Sequence, residues 1–223
     1  MRREIYNVLF DLDGTLADTA PDLADTLNQV LREQGRPPLP FDAIRPTVSH
    51  GSIVMLNTAL GIEAQQPGFT DLRTRFLEIY AGRLTSKTSL FEGIGLVLDR
   101  LEGMGMSWGI VTNKPERLTH PLLQSLGIHH RTRCIVGGDT LEFSKPHPAP
   151  MLHACHLLGC EPATTLYIGD AHRDIQAGHN TGMVTLVAAY GYIGPDDKPE
   201  SWGADGMVHA PLEIVEWIEN FKK

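Results

Sequence analysis

Two aspartates separated by one residue, Asp11 and Asp13, are the side chains best placed to do chemistry. They follow directly on residues 5–10, which are almost all apolar and β-prone, and precede Gly14 and Thr15. Alternate residues of an extended chain point the same way, so both carboxylates can address one site. Gly14 lets the backbone turn tightly behind them. Acids at the end of a buried strand are costly unless a cation lies beside them.

The pair of acids has three possible explanations. One is nucleophilic catalysis, in which one aspartate attacks, the other moves a proton and a divalent cation binds beside them. Another is a buried strand that merely ends in polar residues. The third, a calcium loop, requires Gly at its sixth position and Glu at its twelfth. Gly14 would be fourth and Asp22 twelfth, which excludes that loop.

Two other predicted strands also end in polar side chains. Thr112 and Asn113 follow one of them, and Asp170 follows the other, with Asp174 four residues further on. Lys145 lies between these strands in a loop that prolines restrict. Taken alone, these residues are typical of a turn, a solvated lysine and a capping acid. Because ligands of open parallel sheets bind beyond the carboxyl ends of the strands, the set together predicts one polar site.

The elements that must position these residues alternate between strand and helix from residue 88 onward. Apolar runs predict strands at 108–111, 134–136, 165–168 and 184–187. Helices are predicted at about 94–101, 115–126, 148–158 and 212–218, and another follows Asp170 and runs through Ile175 to Gly182. This alternation implies an α/β fold with a parallel sheet that is covered on both faces. Residues 16–86 instead contain three helical stretches and no convincing strand, so we expect a helical bundle inserted after the first strand.

Composition limits the classes of partner. The net charge of −8 over 223 residues argues against nucleic acid or an anionic membrane surface as the main partner, although a small anion can bind to local positive charge. Cys134, Cys155 and Cys160 form no CxxC motif. We expect no signal peptide, because the first four residues run straight into the first predicted strand, and no apolar run approaches membrane-spanning length. We therefore expect a cytoplasmic protein, monomeric or homodimeric.

In this order, DxDGT at 11–15, a strand-end Thr112, Lys145 and GDxxxD at 169–174 resemble the four motifs of the haloacid dehalogenase (HAD) superfamily of phosphatases. The resemblance covers nearly the full chain. It implies a Rossmann-like α/β core formed by residues 1–15 and 87–223, with residues 16–86 as an all-helical cap.

The resemblance also implies roles for single residues. Asp11 would be the nucleophile that forms an aspartyl-phosphate, and Asp13 would protonate the departing alkoxide and then activate water. Thr112, Asn113 and Lys145 would hold the phosphoryl group.

The metal assignment follows from the same resemblance. Asp11, Asp170, the carbonyl of Asp13 and, directly or through water, Asp174 would bind Mg²⁺. Two unit charges about 4 Å apart interact by about 4 kcal/mol at an effective dielectric near 20. Clustered acids beside a phosphate therefore need a hard cation with oxygen ligands, together with the Lys145 ammonium, to offset their repulsion.

Within the expected cap, residues 45–51 are the stretch most suited to reach the substrate. Arg45 could pair with a substrate carboxylate, and Ser49 and His50 are the other candidates. A plain connection between helices explains each of these residues equally well.

Within the superfamily the chain is most similar to phosphoglycolate phosphatases, and residues 190–193 and 202–205 are similar to N-acetylmuramic acid 6-phosphate phosphatases. The expected substrate is a small phosphorylated metabolite of one of these kinds. Two alternatives remain open: a phosphotransferase of the β-phosphoglucomutase type, and a catalytically silent phosphate-binding regulator.

Overall fold

The computed structural model describes residues 4–221 and contains a sheet of six parallel strands. Across the sheet, the strands lie in the order β5 (Ile135–Val136), β4 (Ser107–Val111), β1 (Asn7–Phe10), β6 (Thr165–Gly169), β7 (Val184–Ala188) and β8 (Gly206–Val208). The expected α/β fold with a parallel sheet is confirmed.

Strand β1 lies at the centre of the sheet because its residues are apolar on both faces. Val8, Leu9 and Phe10 are fully buried. Phe10 is paired with Ile110 of β4 on one side and with Ile168 of β6 on the other. The ends of these three strands therefore lie side by side at one edge of the sheet.

Helices cover both faces of the sheet. On one face, which includes Phe10 and Ile110, the apolar cluster is completed by α5 (Ile94–Gly103), α6 (Glu116–Ser125) and α9 (Glu213–Phe221). The other face, which includes Leu9 and Tyr167, is covered by α7 (Ala149–Leu158) and α8 (His172–His179). Because successive side chains of a strand point to opposite faces, the strands contribute to two separate apolar cores, one on each face of the sheet.

The segment after β1 is helical, as expected, and has an apolar cluster of its own. Its elements are α1 (Ala20–Glu33), α2 (Phe41–Ile44), a 3₁₀ helix (Arg45–His50), α3 (Gly51–Leu60) and α4 (Phe69–Ala81). Leu27, Phe76 and Tyr80 are buried in this cluster, and Leu118 and Tyr192 of the α/β part join it. None of the helices within residues 4–221 is long and apolar enough to cross a membrane.

The expectation that residues 16–86 hold no strand is wrong at their start. Ala17–Asp18 forms strand β2, which pairs antiparallel with β3 (Ser89–Leu90) in a two-stranded ribbon. Strand β8 was not expected either. Strands of two or three residues carry too little periodicity to be recognised, and their pairing partners are distant in sequence.

Candidate active site

Three buried acids meet at the carboxyl edge of the sheet. Oxygens of Asp11, Asp170 and Asp174 all lie within 4.8 Å of one another. The alignment of β1 with β6 explains why: the Asp11 N–H donates to the Ile168 carbonyl at 2.8 Å, which places Asp11 beside the end of β6. Asp174 lies in the first turn of α8. The sequence-predicted acids are thus brought together by neighbouring strands.

Gly14 permits this close approach. Its φ is +86°, a conformation that residues with a Cβ rarely adopt. A Cβ at this position would also overlap the Asp170 carboxylate. The turn that follows Asp13 therefore requires glycine for both conformation and space.

Lys145 neutralises part of the acidic cluster. Its Nζ lies 2.9 Å from Asp11 Oδ1 and 2.8 Å from Asp174 Oδ1, and it donates to the Tyr167 hydroxyl at 2.6 Å and the Val111 carbonyl at 2.8 Å. The side chain is fully buried. Its ammonium is therefore committed to these oxygens, and it fixes the orientation of Asp11.

The side chain of Asn113 holds the lysine loop in place. Its Oδ1 accepts the Lys145 N–H at 3.0 Å, and its Nδ2 donates to the Lys145 carbonyl at 3.0 Å. Sequence reasoning placed Asn113 among the phosphate ligands. These two bonds leave the second Nδ2–H and the backbone N–H of Asn113, which lines the cavity, for a phosphate contact.

The donor set suits a divalent cation with oxygen ligands. Asp170 Oδ1 is buried and has no hydrogen-bond partner among residues 4–221, while Oδ2 accepts from Ser49 and from the Tyr192 N–H. Burial, reinforced by the Asp11 and Asp174 carboxylates, raises the pKa of Asp170 to about 7. Burial also raises the pKa of Asp11, although Lys145 opposes that shift. Such a carboxylate cluster is the environment in which a hard cation relieves repulsion.

Asp174 is less available than the other two acids. Its Oδ1 is held by Lys145, and its Oδ2 accepts the Ala171 N–H at 3.0 Å, which caps helix α8. Both oxygens therefore already have partners, which favours the water-mediated form of its expected metal contact.

Asp13 is held by a lysine that the sequence analysis did not single out. Lys114 Nζ lies 2.9 Å from Asp13 Oδ1, and Thr19 Oγ1 donates to the same oxygen at 2.6 Å. Lys114 also donates at 2.8 Å to the hydroxyl of Tyr80, on helix α4. Burial lowers the pKa of Lys114, but the opposing effect of Asp13 and Tyr80 is larger, so the pKa of Lys114 is raised. Burial also raises the pKa of Tyr80 to about 12.

A cavity of about 650 Å³ lies in front of these residues. Asp11, Asp13 and Thr112 line it from the α/β part, and Ser49 and His50 line it from the helical segment. Thr112 Oγ1 accepts the Lys114 N–H at 3.1 Å, which leaves its hydroxyl proton free to donate into the cavity. The cavity thus has acids and a hydroxyl donor on one side and the helical segment on the other.

Arg45 does not line this cavity. Its guanidinium donates to the Tyr190 carbonyl at 3.3 Å and lies 5.0 Å from the centre of the Tyr192 ring. The expected pairing of Arg45 with a substrate carboxylate finds no support in this arrangement. Its long side chain reaches the segment after β7 instead.

A different arginine, Arg173, lines the cavity close to the acids. It donates to the Ser49 carbonyl, and the Ser49 hydroxyl donates to Asp170 Oδ2 at 2.5 Å. Burial alone would lower the pKa of Arg173, but Asp174, Asp11 and Asp170 raise it. Its place beside Asp174 in the GDxxxD motif was the one available signal, and a single arginine in a helix is usually solvated.

Comparison with known proteins agrees with the geometry. The family model described as haloacid dehalogenase-like hydrolase matches residues 8–188. The chain is 41% identical over 213 residues to the N-acetylmuramic acid 6-phosphate phosphatase of Pseudomonas putida, with 96% of each chain covered. It is 43% identical over 209 residues to a phosphoglycolate phosphatase of Xanthomonas campestris pv. campestris, with 94% of each covered.

A solved structure supports the same assignment. The crystal structure described as that of a predicted phosphoglycolate phosphatase from Haemophilus somnus superposes with a TM-score of 0.85 at 28% identity, covering 96% of this chain and 97% of that one. The chain belongs to the haloacid dehalogenase-like hydrolase family, among relatives that are phosphatases.

Proposed function

We propose that this enzyme is a Mg²⁺-dependent phosphatase that hydrolyses a small phosphomonoester through an aspartyl-phosphate. The observation that carries the proposal is the position of Asp11: it is buried at the cavity, held by Lys145, and adjacent to Asp170, whose Oδ1 lacks a partner among the described residues. A carboxylate so placed can act as a nucleophile only where its negative charge is offset, which this site provides.

The first step transfers the phosphoryl group to Asp11. Lys145 contacts Oδ1 of Asp11, so we assign the attack on phosphorus to Oδ2. The bond from phosphorus to the ester oxygen breaks as the new bond forms in line. Asp13 gives its proton to the departing alkoxide. The Thr112 hydroxyl donates a hydrogen bond to a phosphoryl oxygen.

The second step releases phosphate. Asp13, now ionised, takes a proton from the attacking water, and the water oxygen displaces Asp11 from phosphorus. Asp11, Asp170 and the Asp13 carbonyl would hold Mg²⁺, with Asp174 assisting through water. When bound, the ion offsets the charge of the acids and of the transferring phosphoryl group.

The helical segment would act as the cap that separates this chemistry from bulk water. Support comes from its own apolar cluster and from Ser49, His50 and Tyr80, which face the catalytic edge. We assign residues 16–86 to this cap and residues 1–15 and 87–223 to the core. Excluding water strengthens every electrostatic interaction inside the cavity.

The curated relatives act, by their names, on N-acetylmuramic acid 6-phosphate or phosphoglycolate. We therefore propose one of these two esters as the substrate. The test is phosphate release by the purified protein from both compounds and from hexose phosphates, with and without Mg²⁺. Chelation should abolish turnover and Mg²⁺ should restore it. Asp11→Asn should remove turnover while leaving phosphate binding intact.

The same assay separates the rival functions. A mutase would need a sugar bisphosphate activator and return the phosphoryl group to a sugar, whereas the proposed phosphatase releases free phosphate without one. A silent regulator would bind phosphate without turnover. Full activity in thorough chelator would refute the metal assignment.

A further inference from the structure

The cationic side chains that line the cavity fall into two kinds. Two of them are engaged with groups of the site: Lys114 is paired with Asp13, and Arg173 donates to the Ser49 carbonyl. Arg173 forms no ion pair within 4 Å in the described chain, but the charges of Asp174, Asp11 and Asp170 raise its pKa. The other two, Arg73 and Arg117, form no ion pair with any residue between positions 4 and 221. The mechanism derived above uses neither of them.

Arg73 lies on helix α4 and has one weak contact. Its Nε donates to Ser52 Oγ at 3.3 Å, and its two terminal nitrogens have no hydrogen-bond partner among the described residues. The next arginine of the same helix behaves differently: Arg75 faces the outer surface and forms two hydrogen bonds with Glu33, at 2.8 and 2.9 Å. The outward arginine of α4 thus has an acidic partner on helix α1, whereas the inward arginine has none among residues 4–221.

Arg117 faces the same cavity from the first turn of helix α6. It is exposed, and no hydrogen bond or ion pair links it to the rest of the described chain. The nearby acid of the cavity lining, Asp139, accepts the Glu116 N–H at 2.7 Å and so holds the start of α6. Two arginines without counterions therefore border the cavity, one from the helical segment and one from the α/β part.

The wall that carries these arginines is otherwise largely apolar. Phe76 and Leu77 continue the face of α4 beyond Arg73, and Leu118 follows Arg117. A volume of about 650 Å³ exceeds what one phosphate group needs and leaves room for a leaving group. Guanidinium groups in such surroundings suit a carboxylate, which they bind through two parallel hydrogen bonds.

We propose that Arg73 and Arg117 form a second anion-binding site that reads a carboxylate on the leaving group of the substrate. This inference rests on the proposed phosphatase function and deepens it: the substrate class is a phosphomonoester that carries a carboxylate away from phosphorus. Because that carboxylate takes no part in the bond changes, its contacts are the same in the ground state and the transition state. Loss of such contacts raises KM and leaves kcat nearly unchanged.

The experiment uses substrate pairs of which only one member carries the carboxylate. N-acetylmuramate 6-phosphate is compared with N-acetylglucosamine 6-phosphate, which lacks the lactyl acid, and phosphoglycolate is compared with ethyl phosphate. Arg73→Met and Arg117→Met are measured beside the matched control Arg75→Met. Arg73→Lys keeps the charge but loses the planar fork, and its thermal unfolding reports on folding.

We expect each cavity variant to raise KM for the carboxylated member about 10- to 100-fold, the range of one or two charge-assisted hydrogen bonds, with little change for the neutral member. Arg73→Lys should fall between the wild type and Arg73→Met, and Arg75→Met should match the wild type. Inhibition by inorganic phosphate, which binds at Thr112 and Asp11, should keep its strength in every variant.

The site proposal is overturned if the preference for the carboxylated member survives in both cavity variants, or if both members of a pair lose activity equally. A preference for sugar bisphosphates that the arginine variants abolish would also overturn it, since the second anion would then be a phosphate. Absence of phosphate release from every ester would refute the phosphatase function itself, which is a distinguishable result.

Discussion

Replacing Lys114 by methionine tests how Asp13 is kept in position. Methionine keeps most of the volume and the apolar stem but removes the ammonium that lies 2.9 Å from Asp13 and 2.8 Å from the Tyr80 hydroxyl. Among the described residues, only Thr19 then holds the Asp13 carboxylate. We expect a protein that still folds but in which the proton donor is poorly oriented.

The magnitude follows from burial. The side chain of Lys114 is 5% exposed and that of Asp13 is 17% exposed, so water from the cavity can partly replace the lost partner of Asp13. Tyr80, which is almost fully buried, keeps an unpaired hydroxyl. Such losses cost about 1–3 kcal/mol each, so we expect the free energy of unfolding to fall by about 2–4 kcal/mol. General acid catalysis accelerates such reactions about 10²- to 10⁴-fold. A misoriented Asp13 should lose about 10- to 100-fold of that rate acceleration.

The assay compares two leaving groups. An alkyl phosphate needs a proton from Asp13, whereas p-nitrophenolate leaves without one. Because Asp13 also activates water in the second step for both esters, the comparison uses kcat/KM, which covers only the transfer of the phosphoryl group to Asp11. Lys114→Met should reduce kcat/KM for alkyl phosphates about 10- to 100-fold and change kcat/KM for p-nitrophenyl phosphate little. Tyr80→Phe should show the same selectivity more weakly.

The control is Lys87→Met, which breaks an exposed lysine–aspartate pair with Asp25 and should leave both rates unchanged. Equal losses of kcat/KM in Lys114→Met on the two leaving groups would refute the positioning of the proton donor, because they would indicate general damage to the site.

Two further predictions concern the acids and the lysine loop. The pKa of Asp170 is about 7 in the folded, metal-free site and about 4 when unfolded, so the folded state binds the extra proton and stability should fall, by up to about 4 kcal/mol, as pH rises from 4 to above 7. Denaturation in chelator at pH 5.5 and 8 should show this slope, Asp170→Asn should flatten it, and an unchanged slope in that variant would contradict the assignment. Asn113→Ala removes both side-chain hydrogen bonds to the Lys145 backbone, so we expect kcat to fall at least about tenfold and the free energy of unfolding to fall by about 1–3 kcal/mol. Steady-state kinetics and urea titration measure these two changes. A variant with wild-type kcat would refute this role of Asn113.

The candidate site could be predicted because its residues directly follow strand ends. Asp11, Asp170 and Thr112 each follow a strand with a clear apolar run, and parallel strands bring such positions to one edge. The lysine loop at Lys145 needed the motif order as well, since spacing alone does not tell a solvated lysine from a buried one.

The contacts between the helical segment and the α/β part could not be predicted in this way. Tyr80 and Lys114 are 34 residues apart, and Lys114 and Asp13 are 101 residues apart. No local sequence pattern therefore indicates that these side chains are in contact. Arg45 shows the converse: its residue type suggested a substrate contact, but the tertiary fold directs it to Tyr192. Side-chain direction across such a junction depends on packing that a single sequence does not reveal.

The ribbon formed by β2 and β3 has a consequence for how the protein could be altered. Ala17–Asp18 and Ser89–Leu90 are the two points at which the chain leaves and re-enters the sheet-bearing part, and they are paired with each other. Nearby, the buried carboxylate of Asp22 accepts the N–H groups of Lys87 and Thr88. The inserted helices thus begin and end at the paired strands β2 and β3, so we expect that their length and sequence can change without displacing any strand. A helical segment from a relative, grafted between these two strands, should therefore attach to the sheet-bearing part through the same pairing. The insert can then be exchanged as a unit to change substrate choice.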